Sequence, residues 1–194
     1  PPYTTIRPRP PAKHTISGGK KKKTTSPLKP VVGQADKTVA YYRDEVARYV
    51  ERRYRVLAGR EHTATCGSSL GGLFSTYIAW EHADFARHHA ALSPSYWITR
   101  IPPGSLEMVE RLRTGQPRDI RLWLDSGTLD SPSKGDDGLK DTMAAREALL
   151  ENGYVIGPDF QHHVAEGAIH HESAWAARLD NVFRFLFPVQ TENA

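Results

Sequence analysis

Apolar and polar positions along residues 36–190 repeat with two periods, one typical of β-strands and the other of α-helices. Short apolar runs predict strands over residues 61–66, 88–93, 119–125 and 159–165. Helical spacing predicts helices over about 38–54 and within the stretches 70–83, 105–115, 138–153 and 172–188. A chain that alternates strand and helix in this order forms a mostly parallel sheet with helices on both faces. The predicted fold class is therefore α/β.

Residues 1–35 lack this periodicity and have a different composition. They contain no acidic residue, half of the fourteen prolines and the basic run Lys20–Lys23. Such a segment can bury little apolar surface, so we predict a weakly structured basic segment over 1–35 and a catalytic domain over 36–190. No aromatic stacking platform accompanies the lysines, and we therefore expect no nucleic-acid partner.

Composition narrows the class of protein further. The 194 residues suffice for one domain with a core, and no apolar run approaches the length of a membrane span. The first residues lack the apolar core of a signal peptide, which slightly favours the cytoplasm. The adjacent histidine pairs would point to opposite faces of a strand, and no His-x-x-x-His or Cys-x-x-Cys spacing occurs. We therefore expect no metal and no cofactor.

The stretch Gly67-Ser68-Ser69-Leu70-Gly71 matches G-x-S-x-G and lies between a predicted strand and a predicted helix. A serine at such a sharp turn has a strained backbone, and flanking glycines would relieve the crowding. The hydroxyl of Ser69 would then stand above the sheet at the start of the helix. There the free N–H of Leu70 could stabilise an oxyanion. The motif therefore indicates a serine nucleophile.

A serine nucleophile needs a base, and in this architecture the acid and the histidine follow the serine in that order. The stretch "LWLDSGTLD" leaves its strand and presents Asp130, while "HHVAEGAIHHE" presents His170 and His171. Both sets follow predicted strands, as the catalytic partners should. The acid has rivals on the same part of the chain, namely Asp125, Asp136 and Asp137.

Residues 37–188 resemble an esterase family of the α/β-hydrolase fold that includes enterochelin esterase, feruloyl esterase and esterase D-like proteins. The resemblance rests on "CGSSLGGLFSTYIAWEHADFA", "ALSPSYW", "LDSGTLD" and "GAIHHESAW". It implies Ser69 as nucleophile, His170 as base, because Trp175 follows it by five positions, and Asp130 as acid, two positions after the Gly-Thr pair. It also implies that Tyr96 and Trp97 shape the mouth of the substrate site, and packing in the core is the alternative role for both.

The sequence thus predicts a serine carboxylic-ester hydrolase that forms an acyl-enzyme on Ser69 and acts on a small-molecule ester. The sequence also allows two alternative functions: a catalytically degenerate binding module on the same scaffold, and an acyltransferase with the same triad. Members of the family carry further strands before the helix that leads to the turn, and residues 1–35 supply none. An uncovered sheet edge is prone to pair with another chain, so we also predict either a homodimer through that edge or low stability of the single chain.

Overall fold

The computed structural model describes residues 33–101, 105–131 and 135–188. Most of the predicted basic segment, residues 1–32, lies outside the described residues, and its predicted character stays a prediction.

A parallel four-stranded sheet forms the centre of the described domain. Its strands are β1 (Ala64–Ser68), β2 (His88–Leu92), β5 (Arg121–Gly127) and β6 (Phe160–Ala165), in the spatial order β1-β2-β5-β6. The two-residue strands β3 (Arg100–Ile101) and β4 (Ser105–Leu106) pair antiparallel in a separate ladder. The four strands of the main sheet are those that the apolar runs predicted, with bounds shifted by up to three residues. The α/β class is confirmed.

Helices follow or precede each strand of the main sheet. They are α1 (Ala35–Tyr41), a π-helical stretch (Tyr42–Ala47), α2 (Arg48–Arg53), α3 (Leu70–Glu81), α4 (Glu107–Thr114), α5 (Leu139–Glu151), α6 (Glu172–Ala176) and α7 (Leu179–Leu186). Short 3₁₀ turns occupy Arg60–His62 and Tyr96–Thr99. The single final helix that the sequence predicted is instead two helices. The break falls at Arg178, whose side chain turns inward to a buried carboxylate.

The helices cover both faces of the sheet, as the strand–helix alternation predicts. Side chains at successive strand positions point to opposite faces, so each strand feeds two apolar layers. Ala91 and Leu122 pack in the layer that contains α3, α4 and α5. Ala90 and Trp123 pack in the opposite layer, against Val182 of α7. Both layers exclude water from the sheet, which is what a parallel sheet requires.

The helical segment from α1 to α2 is the least buried part of the described domain. The predicted helix is present, and Val39 is buried on it. The other apolar positions of its predicted stripe are not buried, with Tyr49 and Tyr54 at 49% and 63% exposure. Among the described residues, β1 pairs with β2 alone and its other edge is open. The predicted homodimer through this edge stays a prediction.

Within the described ranges, none of the helices has the length and apolarity that crossing a membrane requires.

His89 lies fully buried in β2 and should couple folding to pH. Its Nε2–H donates to the carbonyl of Ala86 at 3.0 Å, and Nδ1 accepts from the hydroxyl of Thr65 at 2.8 Å. Burial lowers the pKa of His89 to about 3. The ring is therefore neutral in the folded protein over a range where the unfolded chain binds a proton.

We expect the free energy of unfolding to be pH-independent with respect to His89 above about pH 6.5 and to fall as the pH drops towards about 3. The slope from this residue is about 1.4 kcal/mol per pH unit. Urea unfolding at several pH values, with His89→Gln beside the wild type, measures it. An unchanged slope in the variant would contradict this assignment.

Candidate active site

Ser69 occupies a strained turn between β1 and α3. Its backbone has φ 57° and ψ −120°, a region that residues with a side chain seldom adopt. Three backbone hydrogen bonds hold it there: its N–H donates to the carbonyl of Leu92, and its own carbonyl accepts from the N–H groups of Leu73 and Ser95. The turn that the sequence predicted is present, and it is tied to the end of the neighbouring strand β2.

The two glycines of the motif have different roles. A Cβ on Gly67 would lie 2.5 Å from the carbonyl carbon and oxygen of Gly71, so only glycine allows β1 and α3 to approach this closely. A Cβ on Gly71 would meet nothing within 4 Å. The expectation that both glycines relieve crowding is thus wrong for Gly71. Gly72 fills the second tight position, because its Cβ would lie 3.0 Å from the carbonyl oxygen of Leu92.

His170 reaches the hydroxyl of Ser69 from the loop between β6 and α6. Its Nε2 lies 2.9 Å from Ser69 Oγ, and its ring stands edge-on to Trp175 at 4.9 Å between centroids. The neighbouring His171 is exposed and caps α6, its Nδ1 accepting from the N–H of Ser173. The structure therefore brings His170, and not His171, to Ser69.

The carboxylate beside His170 belongs to Asp137. His170 Nδ1 donates to Asp137 Oδ1, and Asp137 Oδ2 accepts from the hydroxyl of Ser93 and from the N–H of Gly127 at 2.6 Å. The side chain of Asp137 is fully buried. Gly127 must lack a side chain here, because a Cβ would lie 2.2 Å from the carbonyl oxygen of Ala168. Three donors hold one carboxylate in a single orientation.

Asp130, the acid chosen from the sequence, is not the partner of the imidazole. It contacts His170 through its backbone, whose carbonyl accepts the N–H of His170 at 3.3 Å. Its side chain packs near Gly135 and lines the cavity. Asp137 lies further along the connection between β5 and α5, and its carboxylate is the one beside the imidazole. Residue spacing could not separate the two, because both aspartates lie on one connection.

A buried polar network lies behind Asp137. The Ser93 hydroxyl donates to Asp137 and accepts from Trp175 Nε1 at 3.0 Å and Arg178 Nη2 at 3.2 Å. Arg178 also pairs with Asp125 at 2.9 Å, and both side chains are at most 5% exposed. Every hydrogen-bonding site of the Ser93 hydroxyl is therefore occupied. Ser93 lies within the stretch "ALSPSYW", but the resemblance assigned it no role, and Arg178 lies outside every stretch that carries the resemblance.

Ser69 and His170 open onto a cavity of about 510 Å³. Trp97 lines this cavity and is 58% exposed, which agrees with the expectation that it lies at the mouth. Tyr96 does not: it is fully buried, and its hydroxyl hydrogen-bonds Thr76 Oγ1 at 2.8 Å. Tyr96 is thus a core residue and was wrongly expected to contact substrate. The reason is that successive side chains on a 3₁₀ turn are about 120° apart, so Tyr96 enters the core while Trp97 stays exposed.

The backbone N–H of Leu70 lies at the start of α3, as the motif predicted. Leu70 is the first residue of the helix, and an N–H in the first turn has no acceptor within the helix. The positive end of the helix dipole adds to its ability to bind a negatively charged oxygen. Leu70 therefore offers one donor for an oxyanion beside Ser69.

A parallel sheet with helices on both faces that presents a strained serine at a strand-to-helix turn defines the α/β-hydrolase type of fold. The comparisons with known proteins agree with this class and narrow it. The family described as "Putative esterase" matches residues 17–186, and the chain belongs to that family.

Solved structures of esterases are similar to this chain. An enterobactin esterase from Shigella flexneri superposes with a TM-score of 0.63 at 18% identity, over 79% of this chain and 39% of that one. A ferulic acid esterase from Anaeromyces mucronatus gives 0.61 at 25% identity, over 78% and 54%. A feruloyl esterase module from Clostridium thermocellum gives 0.61 at 20% identity, over 80% and 59%. The chain thus spans between about two fifths and three fifths of these proteins. No curated protein matches it.

The close approach at Gly67 should make this glycine far less replaceable than Gly71. Gly67→Ala places a methyl group against backbone atoms that cannot move independently, and we expect a loss of several kcal/mol in the free energy of unfolding or no folded protein. Gly71→Ala, in a helix with open space around it, should be neutral or stabilising by up to about 1 kcal/mol. Urea unfolding of both variants measures the difference, and equal effects would contradict the steric account.

Removal of one partner from the buried pair of Arg178 and Asp125 should strongly lower the free energy of unfolding. Arg178→Met leaves the carboxylate of Asp125 buried without its cation, which should lower the free energy of unfolding by about 3–5 kcal/mol. Arg184→Met is the matched control, because the Arg184–Asp180 pair is exposed and should contribute less than about 1 kcal/mol. Chemical denaturation of both variants tests this, and a loss below about 1 kcal/mol for Arg178→Met would refute it.

Proposed function

We propose that this protein is a serine carboxylic-ester hydrolase that works through an acyl-enzyme on Ser69, with His170 as base and Asp137 as acid. The observation that carries the proposal is the unbroken chain of hydrogen bonds from Ser69 Oγ through His170 to a buried carboxylate. This is the arrangement of nucleophile, base and orienting acid that acyl transfer requires. Membership in the esterase family supports the same reaction class.

The proposed reaction follows from where the protons lie. With Nδ1–H directed to Asp137, the Nε2 of His170 has a lone pair available for the Ser69 proton. Ser69 Oγ attacks the ester carbonyl and its proton passes to Nε2, which then delivers it to the leaving alcohol. A water molecule, deprotonated by His170, then attacks the acyl carbon. The bond between that carbon and Ser69 Oγ breaks, the carboxylic acid leaves, and His170 returns the proton to Ser69 Oγ. Asp137 keeps the imidazole in the required tautomer and stabilises the imidazolium formed in each step.

The proposed substrate is a small-molecule carboxylic ester. The cavity beside Ser69 has the volume of a small ligand site, and Trp97 supplies an exposed aromatic face at its edge. Similar structures were solved with ferulic acid or with 2,3-dihydroxy-N-benzoyl-serine, both of which carry an aromatic ring. An ester with an aromatic acyl group is therefore the first substrate class to test.

The experiment that tests the proposal measures covalent labelling and turnover together. We expect a fluorophosphonate probe to label the wild type and not Ser69→Ala, and we expect p-nitrophenyl acetate hydrolysis to disappear with the same substitution. Unaltered labelling or turnover in Ser69→Ala would refute the assigned nucleophile, and no labelling of the wild type would favour the binding module. Added alcohol that diverts the acyl group from water would favour the acyltransferase.

Two aspartates provide a matched pair for the acid within this experiment. Asp137→Asn should lower kcat by about 10⁴, because an amide in place of the carboxylate favours the wrong tautomer of His170. Asp130→Asn keeps the backbone carbonyl that contacts His170 and should change kcat by less than about tenfold. A larger loss in Asp130→Asn than in Asp137→Asn would show that the sequence-based choice of Asp130 was the correct one.

A further inference from the structure

The hydroxyl of Ser95 lies next to the proposed nucleophile, outside the chain of hydrogen bonds that joins Ser69, His170 and Asp137. Its Oγ is 3.1 Å from Ser69 Oγ, and the residue is 3% exposed. Its N–H donates to the carbonyl of Ser69 at 3.0 Å, so its backbone is tied to the strained turn. Ser95 also lines the cavity onto which Ser69 opens.

The count of protons decides which serine donates. His170 Nδ1 carries the hydrogen that goes to Asp137, so Nε2 of the neutral ring is an acceptor. The single hydroxyl hydrogen of Ser69 is therefore directed to Nε2. Ser69 Oγ then takes part in the contact with Ser95 as acceptor. The hydroxyl hydrogen of Ser95 consequently points at the nucleophilic oxygen.

The same hydrogen is close to the place where negative charge develops. When Ser69 Oγ bonds to the ester carbonyl carbon, the π electrons of the carbonyl move onto its oxygen. The attacking oxygen and the new oxyanion share one carbon atom, so a hydroxyl in contact with the first needs only a small rotation to reach the second. A buried hydroxyl that is already oriented requires little reorganisation at that moment, which is the condition for effective oxyanion stabilisation.

We propose that Ser95 is a further catalytic residue, whose hydroxyl donates to the oxyanion beside the N–H of Leu70. The inference rests on the proposed ester hydrolysis. In this step the Ser69 proton passes to His170 Nε2 and the Ser69 Oγ–carbon bond forms. Ser95 keeps its own proton and exchanges one acceptor, Ser69 Oγ, for another. Collapse of the intermediate returns the hydroxyl to its first position.

A purely structural role for Ser95 makes a different prediction. Its backbone N–H holds the turn whatever the side chain is, so Ser95→Ala removes the hydroxyl and leaves this hydrogen bond in place. The methyl group of alanine also fits the buried position. A loss of catalysis in Ser95→Ala with unchanged stability therefore points to the hydroxyl itself.

The test compares turnover with the affinity for a trifluoromethyl ketone, which adds to the serine and mimics the oxyanion intermediate. We expect Ser95→Ala to lower kcat for p-nitrophenyl acetate by about a hundredfold with KM changed less than threefold. The inhibition constant of the ketone should rise by a similar factor, because the analogue loses the same hydrogen bond. Ser95→Cys, with a weaker donor of similar size, should fall between wild type and Ser95→Ala, and it also serves if Ser95→Ala does not fold.

Ser75→Ala is the matched control, since Ser75 is buried to the same 3% on α3 and does not line the cavity. It should leave kcat and ketone affinity within about twofold of the wild type. An active wild type whose Ser95→Ala variant retains both values overturns the role of Ser95 and leaves the esterase proposal intact. A fall in kcat without weaker ketone binding overturns it as well. A wild type without Ser69-dependent turnover fails the proposed function instead.

Discussion

The close contact between the end of β1 and the first turn of α3 is the constraint on which the rest of the site depends. At Gly67 the backbone approaches Gly71 so closely that a single methyl group does not fit. The chain therefore passes from β1 to α3 through Ser69 alone, and the backbone of Ser69 has a strained conformation with positive φ. A conformation of this kind costs about 1–3 kcal/mol and persists only where its surroundings determine it. Here the hydrogen bonds to Leu92, Leu73 and Ser95 do so.

A network of buried hydrogen bonds fixes the orientation of Asp137, the carboxylate beside His170. Asp137 receives three donors, and one of them, the hydroxyl of Ser93, is itself held by Trp175 and Arg178. The Arg178–Asp125 pair anchors this group to β5. Burying so many polar groups is costly unless all of them are satisfied, and in return they define one arrangement. The connection between α6 and α7 thereby orients a carboxylate that lies more than thirty positions earlier in the chain.

Local patterns in the chain were sufficient for the four strands of the main sheet, for most of the helices and for two members of the candidate triad. The strand periods, the glycine-flanked serine and the position of His170 before Trp175 all concern residues near one another in sequence, and the structure places each as expected. Asp130 and Tyr96 are the informative failures. Choosing between Asp130 and Asp137 requires knowing which carboxylate the tertiary structure places beside His170. Tyr96 and Trp97 are neighbours in sequence, and only the direction of each side chain from the 3₁₀ turn separates the buried one from the exposed one.

The sequence by itself therefore determined the α/β class and the place of Ser69 at a strand-to-helix turn. These depend on short-range sterics and on the periods of buried positions, both of which are readable within a dozen residues. Tertiary structure decided which aspartate faces the imidazole of His170, which glycine has no space for a side chain and which hydroxyl adjoins Ser69. Such contacts join residues from the ends of separate strands, and only the packing of the sheet and its helices sets the distances between them.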